Sequence, residues 1–209
     1  MFLNAENRIE WKRAALGAAV VILCAIGGFL GWDSFSQPFF RDFDGTFWNY
    51  LGELGAWKSL AAASLAIFIA AKLTRKMPRI QELAANAFGA IILAEAAAAV
   101  LKIAVGRMRP LMFEALAVTG FSPFSLSDTY HSFPSGHAAA AFAFFVSVGL
   151  MNPKCKPLTW TLAVLVALSR IISGAHWPSD VIAGAFIGML AADLAVYIRQ
   201  SGFVKSLKI

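Results

Sequence analysis

The sequence has little charge, few cysteines and few histidines for its length. Charged residues make up 14% of the 209 residues, against about 25% in a typical soluble domain. The two cysteines, Cys24 and Cys155, form no CxxC pair, and there are three histidines. Neither a disulfide framework nor a tetrahedral structural zinc site is therefore expected. The sequence also lacks an internal repeat and a low-complexity linker, so we expect one domain over residues 1–209.

Apolar residues are what the chain has in excess. They make up 59% of the residues, and the mean hydropathy is +0.67. Six apolar segments reach or approach the roughly 20 residues that a membrane-spanning helix needs, at about 13–32, 57–73, 83–105, 137–152, 158–175 and 178–198. Small residues at 94–99 and 184–188 allow close helix contacts. The sequence therefore predicts an all-α, polytopic membrane bundle of six transmembrane helices.

The distribution of lysine and arginine predicts the orientation of these helices. With a cytoplasmic N-terminus, the inner side holds Arg8, Lys12, Arg13, Lys72, Arg75, Lys76, Arg79, Lys154, Lys156, Arg199, Lys205 and Lys208. The outer side then holds Arg41, Lys58, Lys102, Arg107, Arg109 and Arg170, together with acids such as Asp33. This twofold excess predicts a multi-pass protein of the inner (plasma) membrane with both termini in the cytoplasm. The net charge of +6 reflects these loops, and no nucleic-acid partner is expected.

Two outer segments are more than linkers. In residues 39–54, apolar side chains recur at helical spacing, which predicts an amphipathic helix in the outer interface. This helix is either a simple anchor or part of the route for substrate. Residues 106–136 are too many for a plain connection and contain Phe113, Phe121, Phe124 and Phe133. We expect these rings to seat the segment in the interface, and a role in substrate gating is the alternative.

The first polar cluster at a helix end is Lys102-Ile-Ala-Val-Gly-Arg-Met-Arg109-Pro110. Seven residues are two helical turns, so Lys102 and Arg109 are expected on one helix face, with Pro110 bending the chain away. Two converging cations repel each other unless an anion lies between them. The alternative is a lysine that extends to the membrane surface and binds no ligand.

The second cluster is Pro134-Ser135-Gly136-His137, directly before the fourth apolar segment. Ser135 is expected to cap that helix, whose first amide groups attract phosphate or sulfate. Gly136 lets the backbone approach a ligand closely, and His137 stands in the first turn. The alternative is an ordinary helix N-cap without a ligand.

The third cluster, residues 169–180, joins the fifth and sixth segments and contains Arg170, His176, Pro178 and Asp180. Pro178 suits the first position of a helix, which places Asp180 in the first turn. A carboxylate four residues after a histidine can hold one ring nitrogen and leave the other free to attack. The alternative is an Arg170–Asp180 pair that closes a tight interhelical loop.

Together the clusters combine cations, a helix N-terminus and two histidines, which predicts phosphoryl transfer through a covalent intermediate. Their patterns are Lys-x6-Arg-Pro, Pro-Ser-Gly-His and Ser-Arg-x5-His-x3-Asp. In this order they resemble the three signature motifs of type 2 phosphatidic acid phosphatases, the PAP2 superfamily. The six-segment layout is similar to the membrane branch of that family.

The resemblance implies a role for each motif residue. His176 is the expected nucleophile, Asp180 is expected to orient it, and His137 is expected to protonate the leaving group and then activate water. The groups expected to bind phosphoryl oxygens are Lys102, Arg109, Arg170, Ser135 and Gly136. The resemblance implies no metal and no other cofactor.

The function implied by this resemblance is a lipid phosphatase that acts on a lipid phosphate at the outer face of the membrane. Its candidate substrates are undecaprenyl diphosphate, phosphatidylglycerophosphate, phosphatidate and lipid A phosphates. A lipid phosphotransferase with the same site is one alternative, and a transporter or scaffold with an anion site is another. A transporter would need charges along a path across the bilayer, and only Glu95 and Asp193 lie deeper than the clusters. The particular lipid and the oligomeric state stay open.

Four further polar residues receive simpler predictions. Glu95 and Asp193 are each expected to pair with a neighbouring helix, and His131 is expected to be a loop residue. Arg107 lies within the first cluster but between its motif positions. We expect it to meet lipid headgroups or a second phosphate.

Overall fold

The computed structural model describes residues 2–4, 9–40, 45–116 and 119–201, and its long helices cover the six predicted apolar segments. The helices are α1 (Trp11–Gly27), α2 (Gly45–Glu53), α3 (Trp57–Thr74), α4 (Pro78–Val105), α5 (Pro110–Leu116), α6 (Gly136–Met151), α7 (Lys156–Ile172) and α8 (Pro178–Gln200). Extended pairing among the described residues is limited to two isolated bridges, Leu3–Ile9 and Arg107–Phe121. The predicted all-α class is confirmed.

Within the described ranges, five apolar helical stretches are long enough to cross a bilayer. They are Trp11–Phe40, Trp57–Thr74, Pro78–Val105, Pro153–Ile172 and Pro178–Gln200. The remaining long helix, α6, is equally apolar but has only 16 residues. It contacts α4, α7 and α8, and most of its first eight residues are buried. The bundle therefore packs its longer helices around a short central one.

Glycines allow α8 to pack very closely on α6. A Cβ atom on Gly184 would lie 2.3 Å from the Ser135 carbonyl oxygen, and one on Gly188 would lie 2.3 Å from that of Ala139. Alanines on α4 and α6 are fully buried around this contact. The small residues noted in the sequence thus hold the N-terminal ends of α6 and α8 side by side.

The α-helical geometry of α1 changes to π-helical geometry after Gly27. Residues Gly28–Trp32 form a π-helical turn in which Gly31 has a φ of +120°, a conformation that favours glycine. A Cβ atom on Gly28 would lie 2.3 Å from Asp33 Oδ2 and 2.6 Å from Ser179 Oγ. Asp33 was predicted to be an outer-loop acid. This prediction is wrong, because the turn directs Asp33 inwards and buries it completely against the start of α8.

α4 ends earlier than the first cluster predicts. Gly106 adopts a left-handed conformation with φ +60°, and its amide donates to the Lys102 carbonyl oxygen at 2.9 Å. Lys102 is therefore in the last turn of α4, whereas Arg109 lies beyond it and Pro110 begins α5. The expectation that one helix face carries both cations is wrong, because the chain reverses at Gly106.

The two outer segments pack on the bundle. The described part of the predicted interfacial helix is α2, which contacts α7, while Arg41, Asp42, Phe43 and Asp44 lie outside the described residues. Arg8, Lys205 and Lys208 of the cation count also lie outside them. In the second segment, the rings of Phe121 and Phe133 lie 5.0 Å and 5.5 Å from that of Phe29, and Phe113 lies 5.7 Å from Trp177. These aromatic side chains contact protein, whereas Phe124 is exposed.

Candidate active site

The ends of four helices bring the three sequence clusters to one end of the bundle. Lys102 lies at the end of α4, His137 at the start of α6, Arg170 at the end of α7, and His176 in the turn before α8. That turn is short: Gly174 has a φ of +68°, and the His176 amide donates to the Arg170 carbonyl oxygen at 3.0 Å. His137 lies within electrostatic range of Lys102, Arg109, Arg170 and His176. The structure thus brings the predicted residues of all three clusters together.

The His176 imidazole is held by one hydrogen bond to the backbone. Its Nδ1 lies 2.8 Å from the Ser132 carbonyl oxygen, and the residue is 2% exposed. Because a carbonyl oxygen can only accept, Nδ1 carries the proton and donates it to Ser132. In the neutral ring, Nε2 is therefore the nitrogen with a free electron pair.

The surroundings of His176 keep its ring neutral. Burial, together with the nearby charges of Arg109 and Lys102, lowers the pKa of His176 from 6.5 to about 4, against the opposing effect of Asp180. At pH 7 the ring is therefore uncharged. A neutral imidazole with a free Nε2 is the form required of a nucleophile.

Asp180 is fully buried and receives hydrogen bonds on both carboxylate oxygens. Arg107 Nη1 donates to Oδ1 at 2.6 Å, while Ser132 Oγ and the Trp177 amide donate to Oδ2 at 2.5 Å and 2.9 Å. The same Oδ2 lies 3.8 Å from His176 Nδ1, beyond hydrogen-bond distance. Asp180 therefore acts on His176 through its charge and through Ser132, whose hydroxyl binds Asp180 while its carbonyl binds the imidazole.

Asp33 completes this arrangement from the far side of Arg107. Arg107 Nη2 donates to Asp33 Oδ2 at 2.8 Å, and the Ser179 amide donates to Asp33 Oδ1 at 3.0 Å. We call Asp33, Arg107, Ser132, Ser179 and Asp180 the anchor network. The prediction that Arg107 meets lipid headgroups or a second phosphate is wrong, because this side chain is 5% exposed and binds two carboxylates.

Three other cations lie near the two histidines, and we call Lys102, Arg109 and Arg170 the cation group. Arg109 donates from Nε to the Asp128 carbonyl oxygen at 2.9 Å and from Nη1 to that of Ala175 at 3.1 Å. The buried Arg170 Nε has no hydrogen-bond partner among the described residues. Unlike Arg107, none of the three forms an ion pair within 4.0 Å with a described carboxylate. The cation group therefore has donors and positive charge that an anion can satisfy.

The second cluster places a helix N-terminus beside these cations. Ser135 caps α6, as predicted, by accepting a 3.4 Å hydrogen bond from the Ala138 amide, and its own amide donates to the Asp180 carbonyl oxygen at 3.0 Å. A Cβ atom on Gly136 would lie 3.0 Å from Lys102 Nζ, so this position has little room for a side chain. The His137 ring, in the next position, makes no hydrogen bond with any other residue that the structure describes.

A sequence model of the PAP2 superfamily matches residues 83–202, which is more than half of the chain. The chain belongs to the PAP2 superfamily. The matched region starts in α4 and includes all three clusters, so the cation group, both histidines and Asp180 lie inside it. Asp33 lies outside it, on the helical segment that continues α1.

Individual relatives agree with this assignment. The chain is 36% identical over 118 residues to a lipid A 1-phosphatase from Rhizobium etli, covering 56% of this chain and 51% of the relative. It is also 36% identical over 123 residues to an undecaprenyl-diphosphatase from Sulfolobus acidocaldarius, covering 57% and 54%. The chain therefore spans about half the length of these curated relatives.

A solved structure shares the fold across nearly the whole chain. It is a transmembrane PAP2-type phosphatidylglycerolphosphate phosphatase from Bacillus subtilis, which is 19% identical and has a TM-score of 0.69. The alignment covers 90% of this chain and 96% of that one. Together with the apolar helices, it identifies this PAP2 protein as a multi-pass membrane protein.

Glu95 lies beside Lys102 and the start of α6. A Cβ atom on Gly136 would lie 3.3 Å and 3.4 Å from the two carboxylate oxygens of Glu95. Its Oε1 is buried and has no hydrogen-bond partner among the described residues. The carboxylate of Glu95 thus packs against the start of a neighbouring helix, as predicted, and lies two turns before Lys102 on the same face of α4.

The other two polar residues have partners outside the cation group and the anchor network. Asp193 accepts a hydrogen bond from the Phe2 amide at 2.6 Å, close to the beginning of α1. His131 Nε2 lies 2.8 Å from the Ser125 carbonyl oxygen within the long outer segment. This contact confirms that His131 is a loop residue.

The sequence did not predict a place in the site for two residues of the anchor network, Arg107 and Asp33. Arg107 lies inside the first cluster, where its position among apolar residues was the available signal. Asp33 directly follows an apolar segment, and its acidic side chain there was counted as part of an outer loop. The sequence contained no sign of its contact with Ser179, which is 146 residues away.

Proposed function

We propose that this chain is a membrane lipid phosphatase that hydrolyses a phosphate mono- or diphosphate ester through a phosphohistidine intermediate. The observation that carries this proposal is the position of the neutral His176, with its free Nε2, beside the cation group. A single phosphoryl group bound between His176 and the cation group would meet three cations and a nucleophile. The activities in the printed names of the relatives support the same reaction class.

In the first step, the electron pair of His176 Nε2 attacks phosphorus and forms a nitrogen–phosphorus bond. The bond from phosphorus to the leaving oxygen breaks, and that oxygen takes a proton from His137, whose protonated form the negative charge of the bound phosphate favours. The cation group and the amide of Gly136 stabilise the charge on the other phosphoryl oxygens. Asp180 and the Ser132 carbonyl stabilise the His176 ring while it carries positive charge.

In the second step, water releases the phosphoryl group from the enzyme. The now neutral His137 takes a proton from water, whose oxygen forms a bond to phosphorus. The nitrogen–phosphorus bond breaks, and its electron pair returns to His176 Nε2. Inorganic phosphate leaves, and both histidines are back in their starting states. The cation group and the two histidines supply the charges and proton transfers that both steps need.

The test is phosphate release by the purified full chain in detergent. Undecaprenyl diphosphate, phosphatidylglycerophosphate, phosphatidate and lipid A should be compared, with His176→Ala as the matched control. We expect release from at least one lipid, persistence in EDTA and loss in the variant. Folded protein that releases phosphate from none of them would contradict the proposal. Transfer of labelled phosphate to a second lipid, in place of release, would instead identify a phosphotransferase.

We also propose that the site faces the non-cytoplasmic side of the inner membrane. The excess of cations at the opposite end of the bundle supports this orientation. Ser127 is exposed at the site end. A Ser127→Cys variant that lacks Cys24 and Cys155 should react with a membrane-impermeant thiol reagent in spheroplasts. Labelling that requires permeabilised membranes would reverse the orientation.

A further inference from the structure

Asp33 makes an unusual set of contacts for the end of a first membrane helix. The carboxylate is 0% exposed. It accepts hydrogen bonds from Arg107 Nη2 at 2.8 Å, from the Ser179 amide at 3.0 Å and from the Ser179 hydroxyl. A buried carboxylate in an apolar bundle is costly unless it is paired. The donors around Asp33 offset this cost.

Arg107 connects this carboxylate to the candidate active site. One terminal nitrogen, Nη2, binds Asp33, while the other, Nη1, binds Asp180 at 2.6 Å and Ser179 Oγ at 2.8 Å. The centre of the guanidinium lies 4.5 Å from the Phe29 ring and 5.2 Å from the Trp177 ring. A planar guanidinium between two rings, with a carboxylate at each terminal nitrogen, has little freedom to rotate.

We propose that Asp33 is a positioning residue: through Arg107 it fixes the carboxylate of Asp180, and thereby the orientation of His176. Without Asp33, both terminal nitrogens of Arg107 are free to bind Asp180. They would then compete for Oδ2 with Ser132 and Trp177, whose hydrogen bonds align Asp180 with the His176 ring. The expected effect of losing Asp33 on catalysis rests on the proposed phosphohistidine mechanism, whereas the expected change in the His176 ring does not.

The variant Asp33→Asn tests this proposal because it keeps the size of the side chain and removes its charge. Asp193→Asn is the matched control, since Asp193 is also 0% exposed but lies against Phe2. We expect kcat of Asp33→Asn to fall about 10- to 100-fold, the equivalent of one hydrogen bond to a charged group. KM should change by less than about threefold because Asp33 does not touch the phosphate. Asp193→Asn should retain its kcat.

A second measurement separates this proposal from the proposed function. In protein labelled with ¹⁵N-histidine, the Nδ1–H tautomer of His176 and its titration midpoint are measurable by NMR without any substrate. We expect Asp33→Asn to change at least one of them and Asp193→Asn to change neither. If no lipid is hydrolysed but the spectrum changes as expected, the positioning role stands and the proposed function fails. An unchanged spectrum with an unchanged kcat would overturn the positioning role alone.

Arg107→Lys and Ser179→Ala keep the test valid if Asp33→Asn does not fold. Lysine cannot bind two carboxylates through a planar fork, and Ser179→Ala removes a hydroxyl shared by Asp33 and Arg107. Each should lower kcat more than it raises KM. In folded protein, the effects of Asp33→Asn and Arg107→Lys should be strongly non-additive, since one acts through the other. Additive effects, or wild-type kcat in both substitute variants, would overturn the proposal.

Discussion

Arg107 and Arg109 are two residues apart, yet they belong to regions that differ in whether the cations are paired with carboxylates. Arg107 is enclosed in the anchor network, where two carboxylates and the Ser179 hydroxyl satisfy its guanidinium. Arg109 belongs to the cation group, where its described partners are backbone carbonyl oxygens. A region whose cation is paired with carboxylates holds its members in place without a ligand, whereas a region with excess cations is completed by an anion. The difference separates residues that would position the proposed nucleophile from residues that would bind phosphate.

The largest effect should come from the residue on which both regions act. His176→Ala removes the nucleophile and should leave almost no turnover, with no labelled phosphoenzyme after quenching. The label in wild-type enzyme should be acid-labile and alkali-stable, as expected for phosphohistidine. Substantial turnover by the variant would assign the nucleophile elsewhere and remove the reason for the anchor network.

His137→Ala should follow, because this residue is expected to transfer protons. We expect a loss on the order of 10²–10⁴ with a lipid substrate, whose alkoxide must be protonated as it leaves. The first step should be less impaired with p-nitrophenyl phosphate, whose leaving group needs little protonation. Labelled phosphohistidine should then accumulate, because water activation is impaired. Accumulation in His176→Ala instead would mean that the two roles are exchanged.

Removing one member of the cation group should mainly weaken the binding of phosphate. Lys102→Met keeps the length of the side chain and should lower kcat/KM about 10- to 100-fold, as expected for one lost charged hydrogen bond. Inhibition by vanadate should weaken in parallel. Lys58→Met, at an exposed lysine of α3, is the control and should change kcat/KM little. Equal effects of both substitutions would indicate a general surface charge effect.

The pH profile should report His176, because its buried ring is neutral until strongly acidic conditions. The pKa of about 4 means that the nucleophile stays available as the pH falls from 7 to 5. Below about pH 4, kcat/KM should fall about tenfold per pH unit. The unfolded chain binds this proton more readily, near its ordinary pKa of 6.5, so folding stability should decrease as the pH falls from 7 towards 4. An acid limb that is fully developed at pH 6 would contradict this assignment.

The smallest effect should come from steric change next to the cation group. In Gly136→Ala, the new methyl group would lie 3.0 Å from Lys102 Nζ. The flexible lysine can move, so we expect the protein to fold and kcat/KM to fall about 3- to 10-fold, as for a partly lost charged hydrogen bond. Gly27→Ala is the control because a Cβ atom there would have no neighbour within 4 Å. An unchanged KM in Gly136→Ala would show that the Lys102 position does not affect binding.

The sequence by itself determined the helical bundle and the composition of the candidate site. Long apolar segments predict helices because backbone polar groups must be satisfied within the segment in a membrane. The motif spacings identified His137, His176, Asp180 and the cation group, and local rules predicted Ser135 and Pro178 at helix starts. Each of these features depends on residues close together in the chain or on an order of motifs.

Only the tertiary structure decided which charges are satisfied and which remain open to a ligand. Gly106 separates Arg109 from the helix of Lys102, and the π-helical turn of α1 brings Asp33 to Arg107 and Ser179. Neither feature follows from the periodicity of apolar residues in the sequence, because each depends on how segments distant in the chain approach one another. Two arginines with similar sequence surroundings therefore differ. Arg107 is buried against two carboxylates that satisfy its charge, whereas Arg109 has no such partner among the described residues and remains available to a ligand.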